Sequence, residues 1–268
     1  MPMLAGGAVM VALVLVAILA GQITGDQPFR ISPRERYVAP GALHWFGTDG
    51  LGRDLFRMVV HGGRISLTVG ALVALVSAAI GTAMGLAAGY IRLLDPVLMR
   101  VADGMMAIPG ILFAIALVAL FGASLTTLVA AIAFSDIAPV ARLIRSVVLG
   151  TREEPYVRAA EGLGLPVWRV MLRHVLPSCI APLVVQMTFI FASAILTEAI
   201  LGFLGVGFPP TVPTWGNVLA EGRGAFQLAP WTILAPGLFL ALAVIAVNLF
   251  GDGLRDFLDP HMRRRGGR

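Results

Sequence analysis

The chain has 268 residues, of which 58% are hydrophobic and 13% charged, with a mean hydropathy of +0.88 and a formal net charge of +5. A soluble domain of this length needs far more charge on its surface, so the composition excludes a soluble globular protein. Several apolar runs reach the roughly 20 residues that a helix needs to cross a bilayer. We therefore expect an all-α integral membrane protein.

The residue types also exclude several kinds of site. All 20 basic residues are arginines, and a phosphate-binding loop or a Schiff base needs a lysine. Cys179 is the only cysteine, and the four histidines lie in different segments without metal-ligand spacing. No Ser/His/Asp or paired-carboxylate arrangement indicates catalysis. We expect no enzyme activity, no cofactor and no metal, and we interpret the basic excess as loop charge and lipid contact rather than nucleic-acid binding.

Six apolar runs are predicted to be transmembrane helices. In chain order they cover residues 3–21, 65–90, 105–122, 124–148, 179–201 and 231–250. The first run lacks the basic flank and the cleavage site of a signal peptide, so we expect an uncleaved span. We divide the chain into residues 1–63, with the first span and an extracytoplasmic segment, and residues 64–268, a five-helix core with a cytoplasmic loop at 150–178.

Arginine is distributed unevenly between the two predicted sides of the membrane. Six spans put both termini on the same side as the loop at 91–104 and the segment at 151–177, and this side holds thirteen of the twenty arginines. They are Arg92, Arg100, Arg142, Arg145, Arg152, Arg158, Arg169, Arg173, Arg255, Arg263, Arg264, Arg265 and Arg268. The positive-inside rule places this side in the cytoplasm.

The predicted outer segment, residues 22–63, is an exception because it holds five arginines. They are Arg30, Arg34, Arg36, Arg53 and Arg57. We expect some of them to pair with the acidic residues of the same segment. Those are Asp26, Glu35, Asp49 and Asp54.

Small residues recur every four positions in the second span, at Ser77, Gly81, Gly85 and Gly89. Small residues at this spacing let a neighbouring helix approach closely in the membrane. The pattern predicts a tight helix contact within the chain, with a subunit interface as the alternative.

Two acidic residues lie at predicted membrane depth, where charged groups are costly and usually face a bundle interior or a watery cavity. Asp136 lies in the fourth span, and Glu198 lies near the outer end of the fifth. Both are candidates for the translocation path. The alternative for Asp136 is a carboxylate bonded to a serine or backbone group, or one at the cytoplasmic interface. For Glu198, a structural role that holds the following loop is favoured.

Residues 151–177, here called the elbow, form the longest strongly polar interruption in the second half of the chain. Thr151 and Glu154 fit a capping box that opens a helix. Tyr156, Ala159, Ala160 and Leu163 then form one apolar face, and Gly162 and Gly164 end the helix.

A second short helix is predicted to begin at Pro166, where the missing N–H has no cost. Val167, Val170, Met171, His174 and Val175 repeat the amphipathic spacing, and Pro177 is expected to end the helix. The elbow is thus predicted to be two short helices joined by a glycine turn. Such an element, held between two spans, is suited to contact with a soluble partner.

The elbow resembles the EAA loop of the permeases of ABC importers. That family pattern is E-A-A, three residues, G, nine residues, I or H, one residue, then L-P. The matching residues are Arg158-Ala159-Ala160, Gly164, His174 and Leu176-Pro177. Further stretches resemble the C-type permease subunit of the dipeptide/oligopeptide/nickel branch of these importers. They are HWFGTD at 44–49 with GRD at 52–54, PTWGN at 213–217, and NLFGDGLRD at 248–256 with LDP at 258–260.

The resemblance implies a type I ABC-importer permease fold with six transmembrane helices and a cytoplasmic coupling helix. It implies a multi-pass protein of the cell inner or plasma membrane with both termini in the cytoplasm. The implied partners are a second homologous permease, two ABC ATPase subunits, an extracytoplasmic substrate-binding protein, a dipeptide or oligopeptide substrate and the lipid bilayer. The residues expected to couple to the ATPase are Arg158, Ala159, Ala160, Glu161, Gly164, Leu165, Pro166, Arg169 and His174.

One position departs from the family pattern, because Arg158 replaces its glutamate. Glu161, three residues on, supplies a nearby carboxylate on the same helix. Three alternatives stay open at this point. A nickel or haem-type importer would have the same layout, an ion-coupled secondary transporter would use Asp136 as its ion site, and a membrane scaffold would transport nothing.

Overall fold

The computed structural model describes residues 2–25 and 29–258. In these residues helices are joined by loops, and the only β pairing is an isolated antiparallel bridge between Thr48 and Asp54. The α-helices are α1 (Pro2–Ile18), α2 (Ala20–Thr24), α3 (Leu55–Tyr90), α4 (Asp95–Ala107), α5 (Gly110–Phe121), α6 (Leu125–Thr151), α7 (Pro155–Gly162), α8 (Val167–Val170), α9 (Leu176–Phe203), α10 (Trp215–Gly222) and α11 (Trp231–Leu258). A π-helical turn, Met171–Val175, joins α8 to α9.

Each predicted span coincides with an apolar helix. Four helices are long and apolar enough to cross a membrane: α3, Val167–Phe203, α6 and α11. The pair α4 and α5 makes a fifth if its two bent parts are one span. The first predicted span corresponds to α1, whose 17 residues extend about 26 Å, slightly less than the hydrocarbon core.

The third span differs from the prediction of a straight helix at 105–122 preceded by a loop at 91–104. The loop is largely helical, as α4, and α4 meets α5 at an angle of 84°. Pro109 is the cause, because a proline disfavours the helical conformation at the preceding residue, and Ile108 is extended with ψ 122°. Arg145 of α6 binds Asp95 of α4 at 2.5 and 2.6 Å.

The row of small residues in α3 packs against α6 of the same chain. A Cβ atom built on Gly81 would lie 2.6 Å from Val140 Cβ, and one on Gly85 would lie 2.5 Å from the carbonyl oxygen of Ala141. Ser77 Oγ donates to the carbonyl oxygen of Ala133 at 3.3 Å. The predicted tight contact within the chain is confirmed, and at Gly81 and Gly85 the approach leaves no room for a Cβ atom.

The two described chain ends lie at the same end of the helix bundle as the elbow. A Cβ atom on Gly6 would lie 2.5 Å from the carbonyl oxygen of Ala246, so α1 packs closely along α11. The last turn of α11, with Arg255, lines one cleft with Leu143 of α6 and Ala181 of α9. The arginines at 263–265 and 268, which were expected on the cytoplasmic side, lie outside the described residues, as does Asp26.

Candidate functional site

The elbow begins later in the chain than its sequence predicts. Thr151 is the last residue of α6 rather than a helix cap, and α7 begins at Pro155 with Glu154 at its N-cap position. Neither side chain makes the expected capping hydrogen bond, so the predicted capping box is wrong. The reason is that α6 continues to Thr151, and the following N–H, of Arg152, bonds to the carbonyl oxygen of Val148.

The turn after α7 depends on Gly164. Its φ of +75° is in the left-handed region, where glycine is strongly favoured. The N–H of Gly164 bonds to the carbonyl oxygen of Glu161 at 2.9 Å, and that of Leu165 bonds to Ala160 at 3.4 Å. This pair of bonds is a Schellman motif, which satisfies carbonyl groups at the helix end. The predicted glycine turn is confirmed at Gly164, whereas Gly162 is the last helical residue.

The face that α7 buries differs from the predicted apolar stripe. Val157 and Ala160 belong to the main hydrophobic core, which is built chiefly from α3, α6 and α9. Tyr156, Ala159 and Leu163 face outward, and Leu163 is 83% exposed. The predicted apolar face is therefore wrong as a single buried surface. Only Ala160 of its four residues packs against the core, and the other three are exposed.

The second half of the elbow does not end at Pro177, as was predicted. One continuous helix runs from Val167 to Phe203 through the π turn. Leu176 donates its N–H to the carbonyl oxygen of Met171, five residues back. This wider turn lets the helix continue into Pro177, which cannot donate a bond of its own. The second half of the elbow is consequently a rigid extension of a transmembrane helix.

Apolar and basic side chains alternate on the outer surface of this second half. Trp168 and Leu172 are 59% and 53% exposed. The guanidinium group of Arg169 lies 5.3 Å from the ring centre of Trp168, a cation–π contact. Together with Leu163 and Val167, these residues form an exposed apolar surface, here called the outer stripe (Leu163, Val167, Trp168 and Leu172).

Anchoring residues lie beneath the outer stripe. Leu165 is partly buried and packs against the main core, and Val170 and Val175 are fully buried. His174 is half-buried, and its Nδ1 atom has no hydrogen-bond partner within the described part of the chain. The nine predicted coupling residues thus divide into two sets. Arg158, Ala159, Glu161, Gly164, Pro166 and Arg169 are exposed, whereas Ala160, Leu165 and His174 face inward.

Charged residues of the elbow bind one another. Arg158, which replaces the family glutamate, donates a hydrogen bond to the carboxylate of Glu153. This guanidinium group lowers the pKa of Glu153 below its ordinary value, with smaller contributions from Arg152 and Arg92. Glu161 accepts a hydrogen bond from the Tyr90 hydroxyl at the end of α3. Glu161 therefore faces α3 rather than replacing the family glutamate on the outer surface.

The two acidic residues at membrane depth have different surroundings. Asp136 is half-buried in α6, and within residues 2–25 and 29–258 it makes no hydrogen bond or ion pair. Glu198 is fully buried and accepts a hydrogen bond from Ser66 Oγ at 2.8 Å. Ser66 Oγ also accepts the N–H of Trp215 at 3.2 Å. Glu198 thus lies at a junction of α3, α9 and α10.

A polar junction at the opposite end of the bundle brings together the HWFGTD, GRD and PTWGN stretches. Arg53 is 7% exposed and donates from Nε to Asp49 at 2.6 Å, which confirms the expected pairing within the outer segment for this arginine. Arg53 also binds Glu221 of α10. Burial raises the pKa of Glu221, and Arg53 opposes that effect. No local pattern predicts this pairing, because the two residues are 168 positions apart.

Hydrogen bonds to backbone carbonyl groups complete the junction. Trp215 Nε1 donates to Val59 at 2.9 Å, and Trp231 Nε1 donates to Thr48 at 3.2 Å. Asn217 Nδ2 donates to three carbonyl groups of the loop before α10, at 3.0 to 3.1 Å. The HWFGTD, GRD and PTWGN stretches therefore hold α10 against α3 and connect the outer segment to α11.

Known proteins are similar to this chain in sequence and in fold. Residues 65–264 match the family described as binding-protein-dependent transport system inner membrane component. The chain belongs to this family. It is therefore a multi-pass membrane protein and a permease component, as predicted from its sequence.

Two curated relatives cover almost the whole chain. A probable peptide ABC transporter permease protein of Sinorhizobium fredii is 50% identical over 262 residues, which are 98% of this chain and 90% of the relative. A dipeptide transport system permease protein of Alkalihalophilus pseudofirmus is 43% identical over 256 residues, 95% of this chain and 84% of the relative. Both relatives are named as permeases.

Two solved structures of ABC transporters have a fold similar to that of this chain. One is a crystal structure of an amino acid ABC transporter with histidines, with a TM-score of 0.56, 18% identity, and coverage of 78% of this chain and 94% of that one. The other is an inward-facing MetNI methionine ABC transporter, with a TM-score of 0.56, 16% identity, and coverage of 76% and 98%. The predicted type I permease fold is confirmed.

Proposed function

We propose that the chain is the permease subunit of an ATP-driven importer that moves dipeptides or oligopeptides across the cytoplasmic membrane. The outer stripe carries this proposal. It is an exposed apolar surface formed by the end of α7 and by the extension of the transmembrane helix Val167–Phe203, in a chain of a transport family. Peptide as the substrate is supported by the names of the two relatives. A nickel or haem-type cargo is the alternative within the same class.

The energy for transport comes from partner subunits in this proposal. The chain has no lysine for a phosphate-binding loop, so two separate ATPase subunits hydrolyse ATP. An apolar helix face that fits into a groove is a common mode of recognition. We assign the outer stripe and the exposed coupling residues other than Glu161 to this contact, because Glu161 binds Tyr90 within the chain. Ala160, Leu165 and His174 hold the elbow against the core, and Gly164 sets the angle between its halves.

The proposal also includes the remaining partners and the orientation of the chain in the membrane. A second related permease completes the pathway, and an extracytoplasmic binding protein delivers the peptide. Both termini and the elbow lie in the cytoplasm, where the arginine excess is expected. Residues 1–63 then hold the first span, the outer segment and the first turns of α3, and residues 64–268 hold the five-helix core.

Asp136 is the better of the two candidates for the translocation path. It is half-buried in a transmembrane helix and lacks a partner among the described residues. A carboxylate in that position is most stable beside water or a polar cargo. Glu198 is assigned to the junction with α10, because its bond to Ser66 joins α9 to α3, and Ser66 in turn accepts the N–H of Trp215 in α10.

Transport by the reconstituted complex tests the proposal. The tagged chain would be co-expressed with the subunits encoded beside it, purified and placed in proteoliposomes with ATP inside and the binding protein and a labelled dipeptide outside. We expect ATP-dependent uptake, and we expect Trp168→Asp in the outer stripe to abolish both uptake and co-purification of the ATPase. ATP-dependent uptake of nickel or haem instead of peptide would change the substrate. Ion-driven uptake by the chain alone, or no transport of any of these cargoes, would refute the proposal.

A further inference from the structure

Helix α3 contacts the elbow without being joined to it by the chain. α6 leads directly into the elbow through Arg152, and the second half of the elbow is continuous with α9. These two helices must move when the elbow moves. α3 ends at Tyr90, and the chain continues from there into α4 rather than into the elbow. A displacement of the elbow therefore reaches α3 only through non-covalent contacts.

Two hydrogen bonds connect the end of α3 to the elbow. The Tyr90 hydroxyl donates to Oε1 of Glu161 in α7. Arg152 Nη1 donates to the carbonyl oxygen of Gly89 at 3.2 Å. The Tyr90 ring also packs against the core cluster that contains Val157 of α7. A bond to a carboxylate is stronger and more directional than apolar packing, so the Tyr90–Glu161 bond specifies how α7 sits on α3.

α3 is long enough to carry a displacement across the whole membrane. Its 36 residues extend about 54 Å, well beyond the hydrocarbon core. The glycine seam keeps it in close contact with α6 along the inner half. At the other end, Asp54 caps the helix and Val59 accepts the bond from Trp215. A shift at Tyr90 is therefore transmitted to the polar junction around α10.

We propose that Tyr90 and Glu161 are positioning residues that make α3 follow the elbow. Their hydrogen bond transmits the ATP-driven displacement of the elbow to the extracytoplasmic junction. This inference rests on the proposed function, because it requires an ATPase that moves the elbow. It also gives Glu161 a role distinct from docking, since its carboxylate binds within the chain.

The ratio of peptide imported to ATP hydrolysed tests the role of this bond in the reconstituted complex. Tyr90→Phe removes only the hydroxyl, and Glu161→Ala removes the acceptor carboxylate together with its charge. We expect each variant to lower the ratio of peptide imported to ATP hydrolysed about fivefold or more. Coupling between two sites of a protein typically has an effect of at least this size. The double variant should be no worse than either single one, because both remove the same bond. Glu161→Gln keeps an acceptor oxygen and should retain most of the ratio.

A matched control is available at Tyr37, whose hydroxyl makes no hydrogen bond in the described part of the outer segment. Tyr37→Phe should leave the ratio unchanged. A second readout follows the extracytoplasmic end directly. Leu43 is 89% exposed and the single native cysteine, Cys179, is fully buried, so a fluorophore on Leu43→Cys labels one site. A non-hydrolysable ATP analogue should change its emission in the otherwise unmodified complex and not with Tyr90→Phe.

The possible outcomes separate the two proposals. If Tyr90→Phe keeps the full ratio and the full fluorescence change, the positioning role is refuted while the importer function stands. If Tyr90→Phe lowers uptake and ATP hydrolysis equally, the bond is merely structural and the inference is wrong. If the unmodified complex shows no ATP-dependent uptake, both proposals fail. A selective loss of the ratio and of the signal, with Glu161→Gln retaining both, supports the inference.

Discussion

The conformation of Gly164 allows the docking role of the elbow to be tested by a single methyl group. Gly164 has φ +75°, and a Cβ atom at this position would meet nothing within 4 Å. Gly164→Ala therefore introduces no collision, and its only cost is the left-handed conformation, about 1–2 kcal/mol for a residue with a Cβ atom. We expect the free elbow to relieve this strain by opening the turn. Docking requires the native turn, so the cost appears in the affinity for the ATPase.

A cost of about 1–2 kcal/mol corresponds to an affinity roughly 5 to 30 times lower. Titration of the purified ATPase subunit onto the detergent-solubilised permease at constant salt measures it. Gly162→Ala is the matched control, because Gly162 also has open space but does not have a positive φ. Gly164→Asn should lose less than Gly164→Ala, since asparagine tolerates the left-handed region. Equal losses at 162 and 164, or no loss at 164, would refute the reasoning.

Three further predictions concern stability and charge. Gly85→Ala should destabilise the permease by about 1–3 kcal/mol, because its Cβ atom would lie 2.5 Å from the carbonyl oxygen of Ala141; thermal unfolding in detergent measures this, and Gly104→Ala, where nothing lies within 4 Å, should not destabilise it. Arg53→Met should lower the free energy of unfolding by about 3 kcal/mol or more, because two carboxylates lose their buried partner. Glu221→Gln should lower it less, since burial already disfavours the charge of Glu221. Equal losses of unfolding free energy in urea would contradict this order. Arg158 lowers the pKa of Glu153, so the stabilisation from this pair is present above the unfolded pKa and is lost as the pH falls through the folded one. Carboxyl NMR of Glu153 should show a higher pKa after Arg158→Ala, still somewhat lowered by Arg152 and Arg92, and an unchanged pKa would exclude Arg158 as the main cause.

Much of the fold was accessible from the sequence, because its signals are local. Each apolar run became a helix, since an isolated backbone in lipid must satisfy its own hydrogen bonds. The four-residue spacing of Gly81 and Gly85 indicated a close helix neighbour, and the structure shows that it is α6. Gly164 was identifiable as a turn because its requirement for a left-handed conformation depends only on its own backbone.

Some predictions of where helices begin and end were wrong, because they depended on local sequence signals alone. Thr151 and Glu154 matched a capping box, but α6 packs well enough to continue through Thr151. Pro177 is normally a helix stop, yet a π turn before it lets the helix continue. Pro109 was a local signal for the break between α4 and α5, and it lay within an apolar run that was read as one straight span. At Thr151 the packing of α6 decided between two conformations that the local sequence permits, whereas the break at Pro109 is a local effect of the proline.

By itself, the sequence determined the membrane class, the order of the spans, the side that is rich in arginine and the glycine turn of the elbow. These properties depend on hydropathy, charge and backbone preference, which act over a few residues. The tertiary structure alone decided which side of α7 is buried, that Glu161 binds Tyr90, and that Arg53 binds Glu221. Each of those contacts depends on a partner far away in the chain. A sequence pattern does not show which distant segments come together, because that is decided only when the helices pack.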